Sequence, residues 1–395
     1  MSVNKLIHIV GGGAGQLPLV KKAKEVGLSV LVTDMYPDSP CREYADQYYV
    51  VDTTDREGTF RVARECGIDA IATDQTDVAV PTVAYVAEKL GLPGITLEVA
   101  NRFTNKLIMR ETCEKVVPES IPQFEYFTRI EEAARYVSVC ATPFVLKPIG
   151  SQGSKGVFKC DAPDLDKLEI SFRESRGMGI LVEEFIQGEE VALECFTLDK
   201  VTHVLAFSKK QHFSQNDCID KSVSFFADLD PDVEKSVTEL NRKIIQSFGL
   251  DTGITHAEYK VHNGKPYLIE IAARGAGSGV SGTIIPKITG FDVNQFILDS
   301  ALNQKSQDYQ GLRQSQYAYL EFMEFAPGKV KSISLKDDIA SSAEVINLSI
   351  DIGDVIKSVS DSRDRAGLFI VIDQSIERVK EKARALREAV EITYE

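Results

Sequence analysis

Phe144-Val145-Leu146-Lys147-Pro148-Ile149-Gly150-Ser151-Gln152-Gly153-Ser154-Lys155-Gly156-Val157 is the stretch on which the fold turns. An apolar run ends in Lys-Pro, small residues follow, and apolar residues resume: strand, flexible loop, strand. The loop is not a Walker A motif, since G-x-x-x-x-G-K-[ST] is missing and no helix is expected after it. Small residues in such a hairpin let backbone N–H groups close over a phosphate chain. Lys147 stands where an α- or β-phosphate needs a point charge. Lys106, on a helix expected over Asn105–Lys115, can supply a second cation. Each feature alone is commonly an exposed turn; together, in this order, they point to a nucleotide.

Upstream, short β-branched runs alternate with amphipathic stretches. Strands are expected at Leu6–Val10, Ser29–Thr33, Tyr48–Val51 and Ala70–Ala72, with helices at Leu17–Val26, Thr59–Cys66 and Val78–Leu90. This rhythm predicts a parallel sheet covered on both faces. Gly11-Gly12-Gly13-Ala14-Gly15 after the first strand, with Asp34 closing the second, invites a dinucleotide reading. The G-x-G-x-x-G template fails, because its sixth position is Gln16 counted from Gly11 and Pro18 counted from Gly13. A tight strand-to-helix turn, or a turn touching a small substrate, is favoured over NAD or FAD. Met1–Gly15 reads as a first strand rather than a cleaved leader.

Downstream, Leu181-Val182-Glu183-Glu184-Phe185-Ile186-Gln187-Gly188-Glu189-Glu190 runs from an apolar strand into an acidic hinge. Such a hinge can hold adenine between aliphatic walls and offer a carboxylate to ribose. Two further strands flank Asn263-Gly264, and their register decides the chemistry. A two-residue turn pairs His262 with Lys265 and sends Glu258 and Glu270 to opposite faces. A three-residue loop pairs Val261 with Lys265, sets His256 opposite Glu270 and leaves Glu258 diagonal on the same face. The second register is expected, because the first buries a glutamate in an apolar strand without a partner. Two carboxylates so placed need a cation, and oxygen ligands beside a phosphate chain suit Mg²⁺. Arg274 follows within a run of small residues, where it can approach an anionic intermediate closely.

The whole chain limits the alternatives. It has 395 residues, too many for one small core, so two or three lobes are expected. Lys+Arg 45 against Asp+Glu 59 gives a net charge of −14, which repels nucleic acid in the absence of a local basic stripe. Seven scattered cysteines without C-x-x-C spacing argue against a zinc ribbon or disulfide framework and fit a reducing cytoplasm. No apolar run has the length of a membrane span.

Lys106, Lys147-Pro148, the Gly150–Gly156 loop, Glu183–Glu190, Glu258 and Glu270-Ile271-Ala272-Ala273-Arg274 together resemble the ATP-grasp superfamily. The likeness is greatest to carboxylate–amine ligases of the L-amino-acid ligase kind, with kinship to biotin carboxylase and the purine-pathway carboxylating ATPases. It implies an α/β chain, α+β in its central part. A Rossmann-like parallel-sheet domain (1–104) would precede a small lid subdomain with its lead-in helix (105–190), then an antiparallel core and C-terminal domain (191–395). ATP phosphates would meet Lys106 and Lys147 under a mobile lid containing Ser151, Gln152, Gly153, Ser154 and Gly156. Glu183, Glu184, Phe185 and Ile186 would line the adenine site, with Glu190 on the ribose.

Glu258 and Glu270 would hold one or two Mg²⁺ ions, and Arg274 would steady the acyl phosphate. His256, two residues before the first metal glutamate, is similar to the ligase branch and is taken as catalytic. Ala272 stands where the family usually places a further asparagine ligand, and Asn105 where relatives often carry aspartate. The implied activity joins a small-molecule carboxylate to an amine with release of ADP and phosphate. Alternatives are bicarbonate-dependent carboxylation of an amine, or a non-catalytic ATP-binding subunit. The implied setting is cytoplasmic, without nucleic acid or membrane, and it admits a homodimer.

Overall fold

The computed structural model describes residues 4–214, 216–226, 229–304, 314–336, 339 and 341–395. Aliphatic runs near the N-terminus form four parallel strands, β1 (Leu6–Val10), β2 (Ser29–Asp34), β3 (Gln47–Val50) and β4 (Ala70–Ala72), in the order β3-β2-β1-β4. Ile7, Ile9, Val30 and Val32 pack against Leu19, Val20 and Ala23 of the Leu17–Glu25 helix. Val10, Leu31 and Ile71 face the Arg56–Cys66 and Val80–Leu90 helices on the other side. Strands apolar on both faces are what a doubly covered parallel sheet requires. Leu298 and Ala301, from a helix much later in the chain, complete the first face.

A second, antiparallel sheet contains β5 (Phe124–Phe127), β6 (Phe144–Pro148), β7 (Phe158–Cys160) and β8 (Ile180–Glu184), ordered β5-β8-β6-β7. The strand–loop–strand unit expected around Lys147 is β6 and β7. Phe144, Leu146, Ile180 and Val182 bury one face under Ala133, Val137 and Leu168 of two short helices. The chain then enters β9 (Glu189–Leu198), β10 (Val201–Phe213), β11 (Asn216–Ser224), β12 (Gly253–His262), β13 (Lys265–Ala272) and β14 (Tyr317–Phe322). Five more strands follow: β15 (Gly328–Leu335), β16 (Val345–Leu348), β17 (Val355–Ile356), β18 (Gly367–Asp373) and β19 (Val390–Tyr394).

The large sheet runs β13-β12-β9-β10-β11-β14-β18-β16, and β17-β15-β19 form a small one beside it. The amphipathic Pro231–Phe248 helix covers one face of the large sheet through Val237, Ile244, Ile245 and Phe248. Val280, Ile284, Phe291 and Phe296 cover the other. The expectation of a mixed α/β chain with a parallel sheet, a small lid sheet and a larger antiparallel sheet therefore holds.

Two differences from expectation have one cause. The apolar pattern predicts a strand only over Val201–Phe207 and a loop over Gln211–Lys221, whereas β10 extends to Phe213 and β11 fills part of that loop. Lys210, His212 and Asp220 lie on these strands, with His212 paired to Asp220, so the apolar alternation that marks a strand is broken by inward-facing charge. The seven cysteines are unpaired. Among the described residues, no helix is long and apolar enough to cross a membrane.

His8, in the middle of β1, is wholly buried; its Nε2 lies 2.9 Å from Thr33 Oγ1 and its Nδ1 has no partner. Burial pulls its pKa from 6.5 down to about 3. Below 6.5 the unfolded chain therefore takes a proton that the folded chain refuses. Stability is intact above the unfolded value and falls as pH drops toward the folded one, by up to about 1.4 kcal/mol per pH unit. Urea unfolding between about pH 6.5 and 5 should show this slope in the wild type. His8→Leu should remove it.

Candidate active site

The cavity lies where the three larger sheets converge, and its charges come from all of them. Asn105 accepts from the N–H groups of Leu107 and Ile108 and so caps the Lys106–Glu114 helix. Asparagine and aspartate both cap well, which accounts for Asn105. Lys106, at the first turn, donates to Glu270 Oε1 (2.9 Å) and to the Ser151 carbonyl (2.8 Å). One turn on, buried Arg110 clamps Glu183 through Nε (2.7 Å) and a terminal nitrogen (3.1 Å). Lys147 Nζ lies 2.8 Å from the same carboxylate. Burial alone pushes the Glu183 carboxyl up, but Arg110 and Lys147 outweigh it and hold the pKa at about 2. Glu183 lines the cavity as expected, yet its carboxylate is spent on two cations and is not free to read a base.

The hairpin corrects the expected register. Asn263 (φ 50°) and Gly264 (φ 77°) form a two-residue turn, and His262 pairs with Lys265. Both central residues have positive φ, the geometry for which Asn-Gly is suited. Glu258 and Glu270 nevertheless face one another, because Ile269 is an extra residue between Leu268, paired with Tyr259, and Glu270, paired with Glu258. A bulge of one residue restores the face that the turn would have reversed. His256 therefore lies opposite Ala272, not opposite Glu270. The bulge leaves the Ile269 carbonyl to accept from Arg110 (2.8 Å), with Lys147 at 3.5 Å.

Around Glu258 the charges interlock. His256 Nδ1 lies 2.5 Å from Glu194 Oε1, and its Nε2 lies 3.0 Å from Glu258 Oε1. Burial pushes the imidazole toward neutrality, but Glu194 and then Glu258 raise its pKa to about 9. Lys210 donates to Glu258 and, at 2.8 Å, to Asp220. Glu258 is raised by burial but brought well below the usual carboxylate range by Lys210 and His256. Glu190 is held by His212 (3.2 Å) and Lys260 (3.0 Å), with Lys210 at 3.8 Å. Glu190, His212 and Asp220 converge as a metal-type cluster, but the Lys210 ammonium already stands among them.

Arg274 makes a fork with Asp77, from Nε (2.9 Å) and a terminal nitrogen (2.8 Å). Asp74, wholly buried beside β4, accepts from the Gly275 N–H (2.8 Å) and Ser281 Oγ (2.7 Å). The small-residue run after Arg274 is thereby strapped to the end of the parallel sheet. The Gly150–Gly156 loop closes the other side and is tied down by polar contacts. The Asp77 N–H donates to Gln152 Oε1 (3.1 Å), Ser154 Oγ to the Cys218 carbonyl (2.8 Å), and Ser362 Oγ to the Gly153 carbonyl (2.8 Å). Gly156 has φ +69°, and a Cβ there would lie 2.9 Å from that of Glu174. Ile186 is buried and Phe185 half-buried under Lys159, while Glu184 is exposed; all three line the cavity beside Val145 and Ile269.

The first glycine loop is satisfied internally. Gly12 N–H donates to Asp34 (2.7 Å) and Gly13 N–H to Gln16 (3.1 Å), so neither N–H awaits a dinucleotide phosphate.

With this geometry in place, residues 140–282 match the ATP-grasp domain. That segment of the chain is an ATP-grasp domain. Residues 322–395 match the L-amino acid ligase C-terminal domain 2. Alanine–anticapsin ligase of Bacillus subtilis (strain 168) is 27% identical over 271 residues, which are 62% of this chain and 56% of that relative. The crystal structure of an L-amino acid ligase from Bacillus licheniformis superposes over the whole of both chains at a TM-score of 0.84 and 23% identity. The biotin carboxylase domain of the Hydrogenobacter thermophilus 2-oxoglutarate carboxylase, solved with MgADP, covers 100% of this chain and 91% of its own at TM-score 0.74 and 17% identity. These two structural likenesses show the ATP-grasp fold.

Sequence reasoning brought together Lys106, Lys147, Glu183, Glu190, His256, Glu258, Glu270 and Arg274, which all line one cavity with the Ser151–Ser154 part of the loop. It missed Arg110, Lys210, His212, Asp220, Asp77 and Arg365. Arg110 stands four residues after Lys106, and Lys210 and His212 alternate on β10, so helical and strand periodicity point to these three. Glu183→Gln should leave Arg110 buried without its counter-ion. Unfolding in urea should show a loss of about 3–5 kcal/mol, the cost of breaking a buried pair from one side.

Proposed function

We propose that this chain is an ATP-dependent carboxylate–amine ligase, activating a carboxylate as an acyl phosphate that an amine then attacks. One observation carries the reading. Two carboxylates from paired strands face each other in a cavity that also holds lysines from a helix and from the strand before a glycine loop. The name and the similarity of the alanine–anticapsin ligase support an amino acid as one substrate. Lys106 and Lys147 bind ATP phosphates as point charges, with Lys147 oriented by Glu183. Phe185, Ile186 and Val145 give the adenine an apolar wall, and Glu190 is placed for the ribose.

Glu258 and Glu270 fit a hard divalent cation, since both present oxygens on one face. Mg²⁺ held there would neutralise phosphate charge. One ion is the reading Ala272 favours, because no third side-chain oxygen stands at that position. His256, cationic between Glu194 and Glu258, fixes the Glu258 carboxylate. Arg274 is kept in its fork by Asp77 and meets the substrate carboxylate as charge builds on it. Catalysis then rests on positioning and on electrostatics rather than on a protein nucleophile.

A phosphate-release screen with MgATP against paired amino acids, and separately against bicarbonate, tests the reaction. Release that needs two amino acids supports the ligase; release driven by bicarbonate with an amine, or none with any pair, overturns it. Glu258→Gln and Glu270→Gln should each abolish turnover while the far-ultraviolet circular dichroism stays that of the wild type. Retained turnover in both would remove the metal assignment.

Arg274→Lys keeps the charge but loses the fork, and should lower kcat on the order of 10²-fold with ATP affinity unchanged. A wild-type kcat would reduce Arg274 to its bond with Asp77.

A further inference from the structure

Among the described residues, one cation lining the cavity has no counter-charge. Every other lysine and arginine lining it sits on a carboxylate: Glu270, Glu183, Glu258 with Asp220, Glu190 or Asp77. Arg365 makes no ion pair among the described residues, although it lines the same cavity. It comes from the segment between the Ser362–Asp364 turn and β18, within the residues that match the C-terminal family domain. One terminal nitrogen donates to the Asp220 carbonyl (2.8 Å), and the guanidinium lies 3.6 Å from the centre of the Phe322 ring. Its Nε is buried without a hydrogen-bond partner. Its neighbour Arg363 is the contrast, exposed and forked onto Asp361.

A guanidinium carries five donors in a fixed fork, and burying one that is unmatched costs free energy. Burial lowers the pKa of Arg365 in spite of the acidic residues around it. Asp220, whose carbonyl Arg365 meets, gives its carboxylate to Lys210. The unmatched donor is therefore suited to a negative group that arrives with the reactants. The same segment touches the glycine loop through Ser362 and Gly153, so the anion would lie under the closed loop.

We propose that Arg365 binds an anionic oxygen of the reacting group, a carboxylate or phosphoryl oxyanion, and that the C-terminal domain thereby completes the ligase site. This rests on the ligase reading above. The oxyanion has two sources, the γ-phosphoryl of ATP and the substrate carboxylate, and they separate by experiment.

Full-length wild type, Arg365→Ala and Arg365→Lys would be titrated by calorimetry with MgADP and with the Mg²⁺ complex of a non-hydrolysable ATP analogue. Phosphate release would be measured with varied amino acid. MgADP affinity should stay within about twofold in both variants, since ADP lacks the reacting group.

A tenfold or greater loss for the ATP analogue alone assigns the γ-phosphoryl. A tenfold or greater rise in the amino-acid KM, with both nucleotide affinities kept, assigns the substrate carboxylate. Arg365→Lys should recover part of either loss, which a purely structural arginine under Phe322 would not produce. Unchanged constants throughout, or parallel loss of both nucleotides, overturns the proposal. A wild type that binds both nucleotides but releases no phosphate with any amino acid fails the ligase reading instead, and the ratio of the two nucleotide affinities then decides Arg365 alone.

Discussion

The carboxylate of Glu183, 1% exposed between Arg110 and Lys147, is the interaction on which the site depends. It joins the Lys106–Glu114 helix, β8 and β6 in one ionic knot. Arg110 also reaches the Ile269 carbonyl, which the bulge in β13 leaves outside the ladder. The knot thus holds Lys147 and satisfies the irregularity that sets Glu258 opposite Glu270. An unpaired carbonyl at that depth would cost about 1–3 kcal/mol, which is why a bulge here needs a buried donor nearby. Helix, small antiparallel sheet and β12–β13 hairpin are consequently not independent parts.

The rest of the cavity repeats this logic at greater density. A chain with net charge −14 concentrates cations where ATP would bind, and nearly all of them are matched to carboxylates from neighbouring strands. Matched charges are preorganised charges, since each side chain is held in place before a ligand arrives. The matching also limits what the site can accept. Lys210 stands between Glu258 and Asp220, so a divalent ion on Glu258 and Glu270 must share Glu258 with that ammonium or displace it.

Much of this was legible in the chain, and the exceptions have physical reasons. Aliphatic runs such as Ile7–Val10 announce a sheet buried on both faces, and Asn263-Gly264 announces a hairpin. The face of Glu270 was inferred correctly from the wrong register. Burial demanded that both carboxylates share a face, but nothing in Tyr267-Leu268-Ile269-Glu270 marks a bulge, because Ile269 is neither glycine nor otherwise unusual. β11 was missed because charge faces inward, so an apolar alternation could not reveal it. Lys106 and Lys147 stood out because loops and strand ends flag them. Asp77 and Arg365 did not, because each reaches the cavity from a loop far along the chain from the groups it faces.

Those distant loops explain why the cavity needs the entire fold. Asp74 and Asp77 bring the end of the parallel sheet to the segment after β13, and Asp77 carries Gln152 of the glycine loop on its backbone N–H. Cys218 and Ser362 hold the same loop from the large sheet and the C-terminal part. None of these contacts to the loop is apolar. Hydrogen bonds of this kind contribute only about 0.5–1.5 kcal/mol each, because water replaces them when they open. The loop is therefore joined to three parts of the chain by bonds that can be exchanged, while the Glu183 knot beneath it is ionic, buried and closed to water. That contrast leaves the loop free to open above while Lys147 keeps its place below.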